Sequence, residues 1–401
     1  MTNIPINARV ATGESADSSK GLGRTVILAA GTFAVGTDAF ILAGFLPELA
    51  GALRVSTATA GLAVTVFAAT YALGSPVLAT LTARLPRRAL LVSALLVLGL
   101  ANLGSALAPT FSILLITRIL AAIGASAFTP NAGAVAAAMV RPEMRARALA
   151  VVIAGLTVAT ALGVPMGDAI GQWLGWRSAL AGVAGLCLLA AIGVAVRVPA
   201  LPGSPYVPLH TRLSVLRNPS VATVLPLTVL GMTAAYVVYA YAVPAFGALG
   251  ISASSTAWML ASYGTGAIVG SLYSGYATDR WGTTRVLTVG CLTLAAALGV
   301  LGVLAAAHWT VPALVALLAA AWGASSFGQS PAQQHRLIAA APQESGLVVA
   351  LNASCIYLGI GAGSLLGGVM IGHGVAAMFA LAAALAVVAL GYLRLTTSVA
   401  R

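Results

Sequence analysis

Long apolar segments follow one another through almost the whole sequence, with only short polar turns between them. Such a segment crosses a bilayer as a helix when it holds about 20 residues at 1.5 Å rise per residue. None alternates between apolar and polar positions as the strands of a transmembrane barrel do, so the sequence predicts an all-α membrane protein. Twelve segments of spanning length lie at about 25–47, 59–81, 89–108, 112–139, 148–172, 178–196, 221–243, 256–277, 286–306, 311–334, 346–371 and 375–393.

Composition agrees with this prediction and argues against several classes of function. The chain is 60% hydrophobic and 7% charged, whereas soluble chains carry about 25% charged residues. The net charge of +12 does not indicate a nucleic-acid-binding protein, because the basic residues are spread over short loops. Cys187, Cys291 and Cys355 lie in separate apolar segments, without the spacing of a metal site or a disulfide framework.

The sequence contains no set of residues typical of catalysis. It has no phosphate-binding loop of the Walker type, no Ser/His/Asp arrangement, and no metal constellation among its four histidines. We therefore expect a protein that is not an enzyme and needs no cofactor. Its energy would come from an ion gradient or from the gradient of its own substrate.

The basic residues predict the orientation in the membrane. Most of the 20 basic residues lie in the tail and in alternate loops. Only Arg54 and Arg177 fall in the remaining loops, and Arg118 lies within the fourth segment. Because cytoplasmic loops are enriched in Lys and Arg, both termini are predicted to be cytoplasmic in a multi-pass inner-membrane protein.

The chain divides into two halves. Residues 1–23 form a polar tail that we expect to be disordered and cytoplasmic, and they lack the features of a signal peptide. Six segments follow in 24–196, and six more in 221–396. Between them, 197–220 is a proline- and arginine-rich cytoplasmic linker.

The two halves resemble each other in sequence. Five positions of the first half recur in the second at one constant offset: Gly74, Arg84, Gly163, Gly167 and Gly171 correspond to Gly270, Arg280, Gly359, Gly363 and Gly367. Repeats of this size are typical of two-bundle transporters, whose site lies between the halves near the membrane midplane. The sequence therefore predicts two pseudo-symmetric six-helix bundles.

One carboxylate, Asp38, interrupts the first apolar segment. An acid inside a spanning helix costs at least about 2.5 kcal/mol of insertion free energy and usually faces protein or a water-filled cavity. Arg118 of the fourth segment is predicted at a similar depth, roughly 9–15 Å from the outer surface, so the two side chains are expected to interact. The alternatives are that Arg118 extends to the outer interface and that Asp38 makes only a structural hydrogen bond.

The loop after the eighth segment carries the sequence from Gly275 to Gly282, with Asp279 and Arg280 between them. It resembles the cytoplasmic G-x-x-x-D-R-x-G motif of the major facilitator superfamily. A carboxylate at a helix end can pair with Arg or with a neighbouring helix N-terminus and so hold one side of a transporter shut. The copy in the first half lacks these Gly and Asp residues. Charges that only set the topology would explain the arginines but not Asp279 and Gly282.

The fifth segment contains Gly163, Pro165 and Gly167, followed by Asp168 and then by Gly171-Gln172 and Gly175-Trp176-Arg177. This run resembles the antiporter motif of proton-driven exporters. Small residues at four-residue spacing let helices approach closely, and Pro165 bends the helix; generic packing would explain the glycines alone. For Asp168, an interfacial ion pair with Arg177 is favoured over a proton site.

Resemblance to one branch of the superfamily follows from the first segment. The stretch from Gly36 through Asp38 to Pro47 resembles the first helix of sugar-efflux and chloramphenicol-resistance exporters, in the twelve-helix drug:proton antiporter branch. Those proteins usually carry Glu at the position of Asp38. Arg118 and Gly124 resemble the superfamily's fourth-helix motif. Further matches in the tenth and eleventh segments are Trp322-Gly323, Pro331-Ala332-Gln333, Asn352-Ala353-Ser354 and the glycines from Gly359 to Gly368.

In the arrangement that the resemblance implies, a substrate cavity lies between the halves. Tyr and Asn in an otherwise apolar pocket suit a neutral or weakly polar organic ligand, although each residue taken singly could equally serve packing. The candidate cavity residues are Asn131, Tyr236, Tyr239, Tyr241, Gln329, Gln333, Asn352 and Tyr357.

These features predict a proton-coupled exporter of a small organic compound, such as a chloramphenicol-like drug or a sugar-like metabolite, working by alternating access as a monomer. Asp38 is the predicted proton site, and Arg118 would tune its proton affinity by stabilising the carboxylate. One alternative is an importer or facilitator for a sugar-like metabolite. A second is a sensor or scaffold without transport. Substrate identity, transport direction and proton stoichiometry are not encoded in any pattern of the sequence.

Overall fold

The computed structural model describes residues 7–398, with side chains from 23 to 397, and every regular element in that range is helical. The helices are α1 (Asn7–Phe40), α2 (Leu46–Ala52), α3 (Thr57–Leu81), α4 (Arg87–Ala106), α5 (Phe111–Ala138), α6 (Arg145–Val158), α7 (Val164–Leu174), α8 (Trp176–Arg197), α9 (Leu209–Leu213), α10 (Pro219–Tyr239), α11 (Ala242–Ala248), α12 (Ala253–Trp281), α13 (Thr283–Ala307), α14 (Pro312–Ala340), α15 (Ser345–Met370) and α16 (Val375–Ser398).

The described helices reproduce the predicted membrane spans. Eleven are long and apolar enough to cross a membrane, and the count becomes twelve when α11 and α12, which meet at 112°, form one span. Helices α6 and α7 are joined through a π-helical turn at Ala159–Gly163 and together make the fifth span. The predicted all-α membrane fold is confirmed.

The first helix extends further toward the N-terminus than predicted. Disorder was expected over 1–23, but the structure begins α1 at Asn7, while the part that could span the membrane begins at Gly23. A helix that is already formed extends easily because nucleation is its unfavourable step. Residues 1–6 lie outside the described range.

The same helix contact recurs in the two halves. Gly163, at the end of the π-helical turn, lies against Thr37 of α1, and Gly359 of α15 lies against the backbone of α10 next to Thr233. Thr37 and Thr233 correspond to each other at the offset of the sequence repeat. The recurring glycines of the fifth and eleventh spans are therefore the points where these spans touch the first and the seventh.

The linker covers the loop between α3 and α4. The Ser204 backbone N–H donates to the Ala83 carbonyl at 2.8 Å, and the Arg87 N–H donates to the Leu201 carbonyl at 2.9 Å. This loop is the degenerate first-half copy of the loop motif. The linker therefore binds a surface whose counterpart in the second half, between α12 and α13, is exposed at Asp279.

The halves contact each other where α3 meets α15 and where α7 meets α12. The Ser364 hydroxyl donates to the Gly61 carbonyl at 3.1 Å, and the Gln172 side chain donates to the Ala253 carbonyl at 2.9 Å. Gly61 and Ala253 lie in the first turns of α3 and α12. These turns follow loops predicted to be on the outer side, so both contacts join the halves near the predicted outer face.

Candidate functional site

Asp38 and Arg118 form a buried ion pair between α1 and α5. Arg118 Nη1 lies 2.7 Å from Asp38 Oδ1, and the Asp38 and Arg118 side chains are 0% and 1% exposed. Arg118 Nη2 also donates to the Asp38 backbone carbonyl at 3.2 Å. That carbonyl belongs to the last turn of α1, where carbonyls lack partners within the helix. The predicted contact is confirmed, and Arg118 does not extend to the interface.

The pair leaves hydrogen-bonding capacity unused. Asp38 Oδ2 and Arg118 Nε are buried and have no hydrogen-bond partner among the described residues. A fork-to-fork pair would use both carboxylate oxygens. Here one oxygen holds the guanidinium, while the other remains available to a proton or to a ligand group.

Aromatic rings surround the pair from both halves. Phe67 of α3 lies beneath the Arg118 guanidinium, with 4.7 Å between the guanidinium carbon and the ring centroid. Phe40, two residues after Asp38, lies 5.9 Å from the Tyr236 ring of α10. A cation held over an aromatic face is stabilised, more so when water is excluded. The buried guanidinium is therefore held against an aromatic face, and further rings of both halves lie next to it along α1.

Tyr236 and Tyr239, two of the candidate cavity residues, lie in a buried aromatic cluster next to Phe40. Their rings lie 5.1 Å apart, and Tyr239 lies 4.5 Å from Tyr263 of α12. Tyr263 in turn contacts Trp322 of α14 at 5.0 Å. The Tyr239 hydroxyl and the Trp322 indole nitrogen are buried and lack partners among the described side chains and backbone. The Tyr263 hydroxyl also lacks a partner in the described part of the chain, so the cluster presents apolar ring surface together with three unused polar groups.

Tyr357 joins the site from α15. It stacks on Tyr71 of α3 with 3.6 Å between centroids, and it lies 6.3 Å from Phe67. Since Phe67 also contacts Arg118, the predicted cavity residue Tyr357 is one ring away from the ion pair. This stack joins the two halves directly.

Three further predicted residues, Asn352, Gln333 and Gln329, form polar contacts within the second half, and Gln333 Oε1 also accepts from Arg336 at 3.2 Å. Asn352 accepts a hydrogen bond from the Thr228 hydroxyl at 2.8 Å, and Gln333 donates to the same hydroxyl at 3.1 Å. Gln329 donates to the Ser325 carbonyl of its own helix at 3.0 Å. Asn352 and Gln333 thus link α10 with α15 and α14, and none of these hydrogen bonds is with the aromatic cluster.

Asn131 lies elsewhere. Its side-chain oxygen accepts from Arg87, whose backbone is bound to the linker, and its side-chain nitrogen donates to the Ala127 carbonyl at 2.7 Å. In this structure Asn131 therefore connects α5 with the first residue of α4. Asn131 was predicted to face the cavity because it is a polar residue of the fourth apolar segment, but in the structure its side chain faces Arg87.

The remaining predicted cavity tyrosine, Tyr241, lies between the halves. Its hydroxyl donates to the Ser364 carbonyl at 3.0 Å, and the side chain is buried against Gly61. It therefore belongs to the contact near the predicted outer face rather than to the aromatic cluster.

The residues of the conformational motifs take different positions. Pro165 follows the π-helical turn, whose Thr160 and Ala161 backbones lie against Gly264 of α12. Asp279 and Arg280 are exposed, and neither forms an ion pair within the described chain. The latch that the loop motif implies is therefore not formed in this conformation and stays a prediction.

Gly282, the last residue of the loop motif, forms the turn between α12 and α13. Its φ of +81° places it in the left-handed region, which glycine adopts without steric penalty. The residue lets α12 end and α13 begin within one position.

The expected ion pair of Asp168 with Arg177 is wrong. Asp168 is buried, and its Oδ2 accepts from the Gln172 side chain at 3.0 Å. Arg177 instead donates to the Ala108 carbonyl at 3.2 Å. Gly175, with φ of +84°, ends α7 and starts α8 in a new direction, so residues on either side of it face different neighbours.

A separate groove of about 230 Å³ lies within the second half. It is formed by α12, α13 and α14, and its lining includes Tyr273, Trp281, Arg285 and Val289. None of the predicted cavity residues lines it. The described residues also contain no group of three or more His, Cys, Asp or Glu that could hold a metal ion.

Sequence reasoning did not identify Phe67, Tyr71 and Tyr263 as parts of the site. Each is a single aromatic residue in an apolar segment, and such residues usually serve packing. The two tyrosines could have been singled out as polar groups in spanning segments, but no local signal distinguishes Phe67.

The sequence and the fold are similar to those of known transporters. The family model described as Major Facilitator Superfamily matches residues 28–247 and 224–400. The chain is 32% identical over 359 residues to the chloramphenicol resistance protein of Streptomyces lividans, covering 86% of this chain and 88% of that protein. It is 30% identical over 356 residues to the inner membrane transport protein YdhP of Escherichia coli (strain K12), with 88% and 90% covered.

A solved structure shares the fold. The crystal structure of a D-xylose-proton symporter has a TM-score of 0.74 at 18% identity, over 90% of this chain and 96% of that chain. Similarity at this level of identity concerns the fold alone.

Proposed function

Because the chain belongs to the Major Facilitator Superfamily, we propose that it exports a small organic compound across the cytoplasmic membrane in exchange for protons. It is a multi-pass membrane transporter of small molecules, it is not an enzyme, and it needs no cofactor. The buried Asp38–Arg118 pair carries the proposal, since it places a carboxylate with a free oxygen among residues of both halves.

In this proposal the exchange depends on whether Asp38 carries a proton or is ionised and paired with Arg118. When the site opens outward, a proton from the outer solution neutralises Asp38 and weakens its contact with Arg118. When the site opens to the cytoplasm, substrate entry favours the ionised carboxylate and its pairing with Arg118, and the proton leaves to the cytoplasm. In this scheme both termini are cytoplasmic, as the loop arginines predict, and the monomer is sufficient.

The surroundings of the pair favour a ligand with an apolar body and a few hydrogen-bonding groups. Aromatic rings supply large apolar contact area, and the Tyr239 hydroxyl and Trp322 indole nitrogen have no partner in the described protein. A chloramphenicol-like drug or a sugar-like metabolite would meet this description. The name of the Streptomyces lividans relative supports the former.

The test uses everted membrane vesicles that contain the protein, a pH-sensitive dye, and a panel of chloramphenicol-like drugs and pentoses. We expect one compound class to discharge the proton gradient in wild type. Asp38→Asn should abolish the discharge while the protein remains inserted, because the amide cannot take up a proton. Glu143→Gln is the matched control, since it makes the same chemical change at an exposed position.

The alternatives give different results in the same vesicles. If labelled compound equilibrates equally in wild type and Asp38→Asn without discharging the gradient, the protein is a facilitator and Asp38 is structural. If compounds cause no proton movement and do not cross at all, a sensor or scaffold replaces the transporter. Active efflux retained in Asp38→Asn would remove Asp38 from the coupling mechanism.

A further inference from the structure

A second carboxylate of the first half, Asp168, is buried where the two halves meet. It is 1% exposed, and it packs against Gly44, in the 3₁₀ turn that follows α1. Its Oδ2 accepts from Gln172 at 3.0 Å. Its Oδ1 is buried with no hydrogen-bond partner in the described part of the chain.

Asp168 is connected to the other half through one side chain. The Gln172 amide nitrogen donates both to Asp168 and to the Ala253 carbonyl, the latter at 2.9 Å. Ala253 is the first residue of α12. Asp168 therefore helps to hold the side chain that joins the halves near the predicted outer face.

The corresponding contact of the second half uses no carboxylate. By the repeat offset, Asp168 corresponds to Ser364, whose hydroxyl donates to the Gly61 carbonyl across the halves at 3.1 Å. A neutral side chain is thus sufficient to make such a contact. The acid at Asp168 adds something that the hydrogen bond itself does not require.

No cation among the described residues compensates Asp168. On α1, Asp38 is paired with Arg118, and the 3₁₀ turn Ile41–Gly44 carries no titratable group. On α8, Arg177 is bound to the Ala108 carbonyl and lies over the Trp176 ring.

Other titratable groups on the packed elements do not supply a positive charge either. The π-helical turn Ala159–Gly163 has none. Glu48 of α2 is a like charge that interacts electrostatically with Asp168. The other titratable groups of α8 are Cys187 and Arg197, and those of α12 are Tyr263, Tyr273, Tyr276, Asp279 and Arg280. The two arginines among them, Arg197 and Arg280, lie at the helix ends on the predicted cytoplasmic side, opposite to Ala253.

A buried ionised carboxylate without a cation is unfavourable, and such a group takes up a proton instead. We propose that Asp168 is a second proton-binding site that is occupied whenever the outer side of the transporter is closed. Opening would hydrate Asp168 and let the proton return to the outer solution. Each closure then takes up one proton and each opening releases it, so Asp168 makes closure depend on outer pH without adding to the exchanged protons.

This inference rests on alternating access in the proposed function, but it does not depend on export or on Asp38. The test measures the distance between the outer ends of the two halves in purified protein in lipid nanodiscs. Spin labels are placed at Leu107→Cys and Trp309→Cys, which are 71% and 63% exposed. The three native cysteines are replaced by Ala.

We expect the closed population of wild type to fall as pH rises, with the closed-to-open ratio changing up to tenfold per pH unit, as binding of one proton requires. Asp168→Asn should stay closed across the range and lose this dependence. Asp38→Asn should retain it, which separates this site from the exchange site. Glu48→Gln should move the midpoint to lower pH, because removal of a like charge weakens proton binding at Asp168.

A pH response that is unchanged in Asp168→Asn would overturn the proposal, as would a wild-type closed population that does not change with pH. If Asp168→Asn does not fold, Asp168→Ser makes the same test with the side chain of the second half. Amide hydrogen exchange of α7 and α12 in the chain with its native cysteines, corrected for intrinsic pH dependence, provides the second readout. If the vesicle test fails but the closed population still depends on pH through Asp168, only the proposal of proton-coupled export is contradicted.

Discussion

The two halves of the molecule share their helix packing but differ in their buried charge. Spans one and five approach each other through Gly163, and spans seven and eleven do so through Gly359. All the buried charged side chains of the described residues lie in the first half, namely Asp38, Arg118 and Asp168. At the repeat offset, Asp38 and Asp168 correspond to Ala234 and Ser364, and α14, the counterpart of α5, has no titratable residue before His335.

This difference separates what the fold needs from what function adds. The neutral residues of the second half occupy the same framework, so the framework does not require the ion pair. Buried pairs are weak sources of stability when compared with apolar replacements. The proposed proton chemistry therefore concerns the first half, and in that proposal Tyr236, Tyr239 and Trp322 of the second half are the neutral contact surface.

The largest loss of stability is expected when only one member of the buried ion pair is replaced by an apolar residue. Arg118→Leu leaves Asp38 buried without its cation, and breaking a buried pair in this way costs about 3–5 kcal/mol of unfolding free energy. The double variant Asp38→Ala/Arg118→Leu has no charge at either position, as in the second half, and should recover most of that loss without recovering proton coupling. Thermal unfolding in detergent, with proton-coupled transport in vesicles, measures both.

Equal stability of the single and double variants would show that the pair does not act as a unit. Arg141→Leu is the control for loss of an arginine, since Arg141 is exposed.

A smaller effect should separate the glycine contacts of the two halves. A methyl group on Gly363 would meet the Thr233 carbonyl and the Tyr236 backbone, whereas on Gly167 it would meet the Cγ1 and Cδ1 atoms of Ile41, which a change of rotamer can move. Overpacking costs about 1–3 kcal/mol, and Gly363→Ala should lie at the upper end. Gly167→Ala should cost less, as measured by thermal unfolding under identical conditions.

Gly182→Ala is the control, because nothing lies within 4 Å of a methyl group placed there. A larger loss in Gly167→Ala than in Gly363→Ala would contradict the difference.

The smallest effect concerns the neutral surface of the second half. Tyr239→Phe removes a hydroxyl that has no partner among the described residues, so folding should be unchanged. If the substrate uses this hydroxyl, its affinity should fall by about 0.5–1.5 kcal/mol, while the proton response of the empty transporter stays the same. Substrate binding and proton release, measured on the same protein, separate the two effects.

Tyr392→Phe is the matched control on α16; its hydroxyl donates to the Thr223 carbonyl at 3.0 Å. Unchanged substrate affinity in Tyr239→Phe would remove that hydroxyl from the binding surface.

The sequence was sufficient for the membrane fold, the spans and the Asp38–Arg118 contact. Span length and apolar composition are local properties that the bilayer selects. The depth of a residue follows from its distance to the end of its helix, so two opposite charges at one depth could be paired without a structure. The spacing of the glycines in the fifth segment predicted a close helix approach, but the helices that they contact were known only from the structure.

The other side-chain contacts could not be predicted, because they depend on which face of a helix packs against which neighbouring helix. That packing is set by helix bends and crossing angles, which no local sequence pattern contains. Asp168 and Arg177 are close in sequence, but the turn at Gly175 separates them. Asn131 lies in the same helix as Arg118, yet it contacts Arg87 at the start of α4. Tyr71 and Tyr357 come from different halves and stack only because α3 and α15 pack together.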